Sequence, residues 1–172
     1  MELSYKQIQN EVDIKTLSAL AHKIWNAHYP PIIGQKQVDY MLGKMYSVES
    51  LNNQIFKEGH HFIAAYYDDK MEGFISYSSK NGEDYIIHKL YVNTEIHRKG
   101  TGSALFSIVF GNRKFETIRL TVNRQNITAI NFYFKIGFVI EKIIDIDLGE
   151  GFVMNDFVML FSNDNLKVRL SK

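Results

Sequence analysis

His88-Lys89-Leu90-Tyr91-Val92-Asn93-Thr94-Glu95-Ile96-His97-Arg98-Lys99-Gly100-Thr101-Gly102-Ser103-Ala104-Leu105 is the stretch on which the fold turns. Its beginning reads as the end of a strand and its last residues open an apolar-periodic helix. Between them lies a basic loop closed by Gly100 and Gly102. Glycine has no Cβ, so backbone N–H groups there can turn toward one point. A helix start adds unpaired donors and about half a positive charge. Together they form a socket for an anion of the phosphate type, and Arg98 and Lys99 raise the local potential further. The dinucleotide fingerprint is excluded because Leu105 stands where its third glycine belongs. The P-loop is excluded because no glycine followed by lysine and a hydroxyl residue closes such a loop. On its own, this segment reads equally well as a glycine-bearing cap with solvated charges.

Outward from the loop, period and punctuation set the other elements. Leu3 to Ile8 reads as a first strand. From Asp13, Leu17, Leu20, Ala21, Ile24, Trp25 and His28 recur at helical spacing until Pro30-Pro31 stops the helix. Val38, Met41, Leu42 and Met45 mark a second helix; a third starts at Ser47 with Leu51 and Ile55 inward. His61–Tyr67 and Met71–Ser79 form a hairpin around Asp68-Asp69, and Asn81-Gly82 turns into a strand over Asp84–Asn93. Gly100–Asn112 is expected to be a helix with Ala104, Leu105, Ile108 and Val109 as its apolar stripe. A strand over Thr117–Val122, a helix over Ile127–Ile136 and strands over Phe138–Leu148 and Phe152–Phe161 complete the order. This order predicts a single α/β domain, 1–172, with a mixed, mostly antiparallel sheet of about seven strands and helices on both faces. Residues 162–172 read as a polar tail, although Leu166, Val168 and Leu170 alternate as in a short edge strand.

Composition narrows the chemistry. With 172 residues, 45% hydrophobic and 23% charged, the chain is an ordinary globular domain. A net charge of +1 gives no general field for nucleic acid or anionic membrane. The absence of cysteine removes thiolate catalysis and sulfur-rich metal sites and agrees with a reducing compartment. The amino terminus lacks a basic region followed by an apolar run, and nothing approaches the roughly 18 apolar residues of a membrane span, so a cytoplasmic location is expected. No metal is expected either. His60 and His61 are adjacent on a strand and face opposite ways, and His22 and His28 lack a third ligand.

A second segment, Asn123-Arg124-Gln125-Asn126-Ile127-Thr128-Ala129-Ile130-Asn131-Phe132-Tyr133-Phe134-Lys135-Ile136-Gly137-Phe138, changes the weight of the first. Asn126 is an N-cap, Ala129, Phe132, Tyr133 and Ile136 share a helical face, and Gly137 ends the helix. The two segments resemble the GNAT superfamily of N-acetyltransferases. The family's loop reads Arg/Gln-x-x-Gly-x-Gly/Ala, and its second signature reads Asn-x-x-Ala-x-x-x-Tyr-x-x-x-Gly-Phe. Here Gly100 and Gly102 match the loop, and Asn126, Ala129, Tyr133, Gly137 and Phe138 match the second signature in register. The one departure is His97 at the Arg/Gln position, which costs little if backbone amides hold the diphosphate.

The resemblance implies an acetyl-CoA-dependent N-acetyltransferase acting by direct transfer. Coenzyme A would be held by Leu90, Tyr91, Val92, His97, Arg98, Lys99, Gly100, Thr101, Gly102, Ser103, Asn126, Ala129 and Tyr133. The strand at Leu90–Val92 would splay from its neighbour to free backbone groups for the pantetheine arm, and Tyr133 would be the general acid toward the departing thiolate. An acceptor amine of pKa about 10.4 is neutral in only about one molecule in 2,500 at pH 7, so a base or a water chain is needed. His88 is the first candidate; Glu83 and Asp84 are weaker ones. Trp25, Tyr29 and Tyr40 are candidates for acceptor contact, by cation–π attraction, although helical spacing also explains them as core. Ile24–Leu42 and Gly151–Met159 are similar to the bacterial polyamine-acetylating branch, and Asp145, Asp147, Glu150 and Asp156 form a set able to attract a cation. The partner is then a small-molecule amine or a peptide. Exposed edges near the carboxyl end leave a homodimer open. Two rivals stand beside this reading: a non-catalytic CoA-binding sensor or scaffold of the same fold, and an unrelated nucleotide-binding α/β protein.

Overall fold

The computed structural model describes residues 2–95 and 100–162. β1 (Leu3–Gln7) leads into α1 (Glu11–His28), which Asn10 caps by accepting the Asp13 N–H at 2.9 Å. Its inner stripe of Ile14, Leu17, Ala21 and Trp25 is buried, as the three-and-four spacing requires. Pro30-Pro31 ends α1 but also opens a one-turn helix, α2 (Pro30–Ile33), an element missing from the expected order. Proline's fixed φ suits a first turn, where its missing N–H has no intrahelical partner anyway. α3 (Gln35–Tyr46) and α4 (Val48–Phe56) follow, the latter capped by Ser47.

β2 (His61–Tyr67) and β3 (Lys70–Ser79) form the expected hairpin. Asp68 (φ 47°) and Asp69 (φ 65°) are both left-handed, as a two-residue turn matching the strand twist demands. Asn81 Oδ1 then accepts the N–H groups of Glu83 and Asp84, turning the chain into β4 (Asp84–Val92). α5 (Thr101–Phe110), β5 (Thr117–Asn123), α6 (Ile127–Ile136), β6 (Val139–Gly149) and β7 (Phe152–Ser162) complete the fold. One expectation for α5 fails. Leu105 and Val109 are buried, but Ile108 is 55% exposed, and the inward face is completed by Thr101 and Phe110 instead. The residues at 163–172, including the alternating Leu166, Val168 and Leu170, lie outside the described residues.

The seven strands form one mixed sheet in the order β1-β2-β3-β4-β5-β7-β6, with β4 and β5 parallel and the other described pairings antiparallel. The chain divides into two compact units that share β4: Met1–Ser78 with Lys89–Asn112, and Ser79–His88 with Arg113–Lys172. In the first, helices cover both faces of the strands. Tyr77 of β3 packs on Phe110 of α5, while Phe74, three positions earlier and so on the other face, packs on Tyr91 within the α1-side aromatic cluster. In the second, β5 pairs along its whole length with residues 156–162 of β7, and Phe138 and Phe161 tie α6 to that ladder.

Candidate active site

The first unit builds a helix start whose N-cap is a glycine. Gly100 stands at φ 100°, a left-handed value that a side chain would strain, and serves as N-cap of α5 with no side-chain hydrogen bond to the helix. Its carbonyl accepts the Ala104 N–H, so the turn is regular. Thr101 is buried, its hydroxyl 3.0 Å from the Tyr67 phenol, which fixes the first turn of α5 against β2. Among the described residues the N–H groups at the head of this helix have no side-chain cap from the N-cap position, and the helix dipole adds positive potential there. His97, Arg98 and Lys99 lie outside the described residues.

Entry to the loop is anchored by a pair that the sequence did not announce. Asn93 donates from Nδ2 to Glu72 Oε2 at 2.7 Å, and its backbone N–H bonds the Glu72 carbonyl at 2.8 Å; both residues are buried. Burial pushes the Glu72 carboxyl up, but Lys70 and Asn93 hold it below the ordinary carboxylate range. Beside it, a Cβ on Gly73 would meet the Tyr91 carbonyl at 3.0 Å, so glycine permits the close packing of β3 on β4.

β4 and β5 pair only from Asp84–Thr117 to Ile87–Leu120. β4 runs on to Val92, and β5 to Asn123, past that last pairing. Leu90, Tyr91 and Val92 follow the last of these pairings on β4. The Tyr91 side chain joins Trp25, Tyr29, Tyr46 and Phe74 in a cluster with ring centroids 4.3–6.4 Å apart. Burial raises the Tyr46 and Tyr91 phenols well above their ordinary range. Trp25 and Tyr29 are buried members of that cluster, whereas Tyr40 lies on α3 with Lys44 hydrogen-bonded to its phenol.

In the second unit, Asn126 is buried and caps α6, its Oδ1 accepting the Ala129 N–H at 3.2 Å. Tyr133 is 7% exposed, its ring set between Phe132 and Phe138. Gly137 closes the helix at φ 126°, its N–H on the Tyr133 carbonyl. His88 is half-buried on β4. Asp84 accepts from Asn81 and from Thr117, and these bonds hold its carboxyl below the usual range, which ties it to the turn.

The acidic set near the carboxyl end separates by environment. Asp145 takes hydrogen bonds from Arg124 and Asn155, Asp147 accepts the Gly149 N–H, and Glu150 sits exposed in the β6–β7 turn at φ 54°. Asp156 alone is buried, and burial raises its carboxyl to about 6 against the opposing hydrogen bond from Thr121.

A buried lysine also escaped the sequence reading. Lys89 is 3% exposed; its Nζ donates to Gln54 Oε1 at 2.5 Å and lies over the Tyr46 and Phe62 rings. Its signal was its place in the alternation Tyr85, Ile87, Lys89, Tyr91, which fills one face of β4.

A family model described as an acetyltransferase (GNAT) domain matches residues 31–143. The PaiA N-acetyltransferase from Thermoplasma acidophilum, solved in complex with coenzyme A, is 25% identical with a TM-score of 0.76, over 94% of this chain and 99% of that one. A GCN5-related N-acetyltransferase from Rhodopseudomonas palustris (16% identity, TM-score 0.76, 94% and 96% covered) shares the fold. So does a probable acetyltransferase from Staphylococcus epidermidis (16%, 0.74, 94% and 99%). No curated protein sequence matches the chain. Among the described residues no helix is long and apolar enough to cross a membrane.

Proposed function

The chain belongs to the GNAT acetyltransferase family and is an acyltransferase; from that premise we propose that it moves the acetyl group of acetyl-CoA directly to a primary amine of a small molecule or peptide. The observation that carries the donor assignment is the start of α5, where left-handed Gly100 stands as N-cap and offers no side chain to the helix's first N–H groups. Such a terminus favours an anion with several acceptor oxygens, as a diphosphate has. The likeness to a PaiA N-acetyltransferase bound to coenzyme A supports the same ligand.

In this reading the residues divide the work. The backbone at Leu90–Val92, beyond the β4–β5 ladder, holds the pantetheine arm and gives an N–H to the thioester carbonyl. A donor aimed at a developing oxyanion lowers the barrier by about 3 kcal/mol. Asn126 fixes the first turn of α6 and so the position of Tyr133. Tyr133 gives its phenol proton to the departing thiolate, so that the coenzyme leaves as a neutral thiol. A polyamine-like acceptor fits the likeness of Ile24–Leu42 and Gly151–Met159 to the polyamine-acetylating branch.

The test is mass spectrometry of acetylated products after incubation with acetyl-CoA and polyamines, amino acids, aminoglycosides and peptides. An amine product with one acetyl group added is expected. Tight acetyl-CoA binding without any product would favour the sensor reading instead.

A further inference from the structure

Asp156 is a buried carboxylate that the chemistry above does not use. It is 4% exposed, and among the described residues its Oδ1 has no hydrogen-bond partner. The other hydrogen bond to the carboxylate comes from Thr121. Arg124 is close enough to act on it electrostatically, but its guanidinium pairs with Asp145. A buried carboxylate loses its hydration and regains it only from a charged or hydrogen-bonding partner, so an oxygen left over marks a place for one.

Its position says what that partner is. On β7, Asp156 stands opposite Asn123 of β5 and Ile144 of β6. Asn123 lies three residues past Leu120, the last β5 residue paired with β4. Asp156 is therefore one strand, about 4.8 Å, from the part of β5 whose other edge has no ladder. Alternation sets Asp156 and Phe161 on opposite faces of β7, and Phe161 packs on Phe138, which packs on Tyr133. The carboxylate and the phenol thus occupy opposite sides of the β5–β7 ladder, so an ammonium held by Asp156 would lie clear of the group assigned to the departing thiolate. Thr121, which donates to the carboxylate, is itself exposed. One carboxylate and one hydroxyl are too few ligands for a divalent ion. They suit an ammonium group.

We propose that Asp156 receives the ammonium group of the acceptor, and that the enzyme therefore selects amines that arrive as cations. The proposal rests on the N-acetyltransferase reading and assigns its acceptor subsite.

The test uses Asp156→Asn, nearly identical in shape, on the full chain. Acetylation of 1,4-diaminobutane, spermidine, kanamycin and a tetrapeptide with a free amino terminus is measured beside acetyl-CoA titration and thermal unfolding at pH 8. For each amine the wild type acetylates, kcat/KM is expected to fall at least tenfold, mainly through KM. Acetyl-CoA affinity should stay within twofold and the melting temperature should not fall. Unchanged amine kinetics would overturn the assignment and leave the enzyme reading intact. A lowered melting temperature with acetyl-CoA affinity and amine turnover falling together would make Asp156 a structural residue and also overturn it. A wild type that binds acetyl-CoA but acetylates no amine would overturn the enzyme reading, and the subsite with it.

Discussion

Lys89 donates from Nζ to Gln54 Oε1 at 2.5 Å, inside the core and across 35 positions of sequence. Gln54 in turn donates from Nε2 to the Met45 carbonyl and to Ser50 Oγ, so the amide is oriented with its oxygen toward the lysine. A neutral amide satisfies the ammonium geometrically but does not neutralise it. Burial accordingly brings Lys89 down to about 8, only partly offset by the charge of Glu58.

That shift fixes the sign of a pH dependence. In the unfolded chain the lysine keeps its proton up to about 10.5, whereas in the folded chain it releases it near 8. Between these values the unfolded state binds more protons, so stability rises with pH there, and below pH 8 the full penalty applies. Lys89→Met removes this titration. From pH 7.5 to 9.5 the wild type should gain on the order of 1–2 kcal/mol relative to Lys89→Met in urea unfolding. Parallel stability profiles would mean that the lysine titrates normally.

The Glu72–Asn93 pair anchors the end of β4, where the chain leaves toward the loop. Glu72→Ala leaves the buried Asn93 amide without its acceptor, which costs about 1–3 kcal/mol. For a chain of this length that corresponds to a melting temperature lower by roughly 2–4 °C per kcal/mol. Glu72→Gln should recover part of the loss. A Glu72→Ala melting curve superimposable on the wild type would show the pair to be dispensable.

Gly102→Arg sets a bulky side chain in the first turn of α5, where the proposed function brings the backbone close to a diphosphate. Acetyl-CoA binding by calorimetry should fall below detection while far-UV circular dichroism and thermal unfolding stay close to the wild type. Retained micromolar binding would move the diphosphate away from this helix.

Asn126 and Asn10 cap α6 and α1 in the same way, each accepting an N–H three residues on. Changing either to Ala should cost about 1 kcal/mol of stability. Only Asn126→Ala should also lower kcat, because α6 carries Tyr133. Equal effects on kcat from both variants would argue that the cap has no part in placing the phenol.

What could be read from the sequence was what depends on neighbours along the chain. Asn126 and Gly137 bracket α6 as read, because a cap and a positive φ are local requirements. The Asp68-Asp69 turn was legible for the same reason. Pro30-Pro31 was ambiguous, since a proline that ends one helix is equally suited to begin another. Contacts between distant residues were not legible. Nothing near Lys89 names Gln54, and the Thr101–Tyr67 contact fixes α5 from 34 positions away. The four acids Asp145, Asp147, Glu150 and Asp156 look alike in sequence. Strand register separates them: the first three are engaged or solvated at the end of the β6–β7 hairpin, and the fourth is buried against β5.

The central claim is that Tyr133 protonates the departing thiolate of acetyl-CoA. Its most direct test is kcat for Tyr133→Phe on the best amine substrate, measured beside the acetyl-CoA dissociation constant. The expected kcat is lower by roughly 10²–10⁴-fold, with the dissociation constant within twofold of wild type. An unchanged kcat would contradict it.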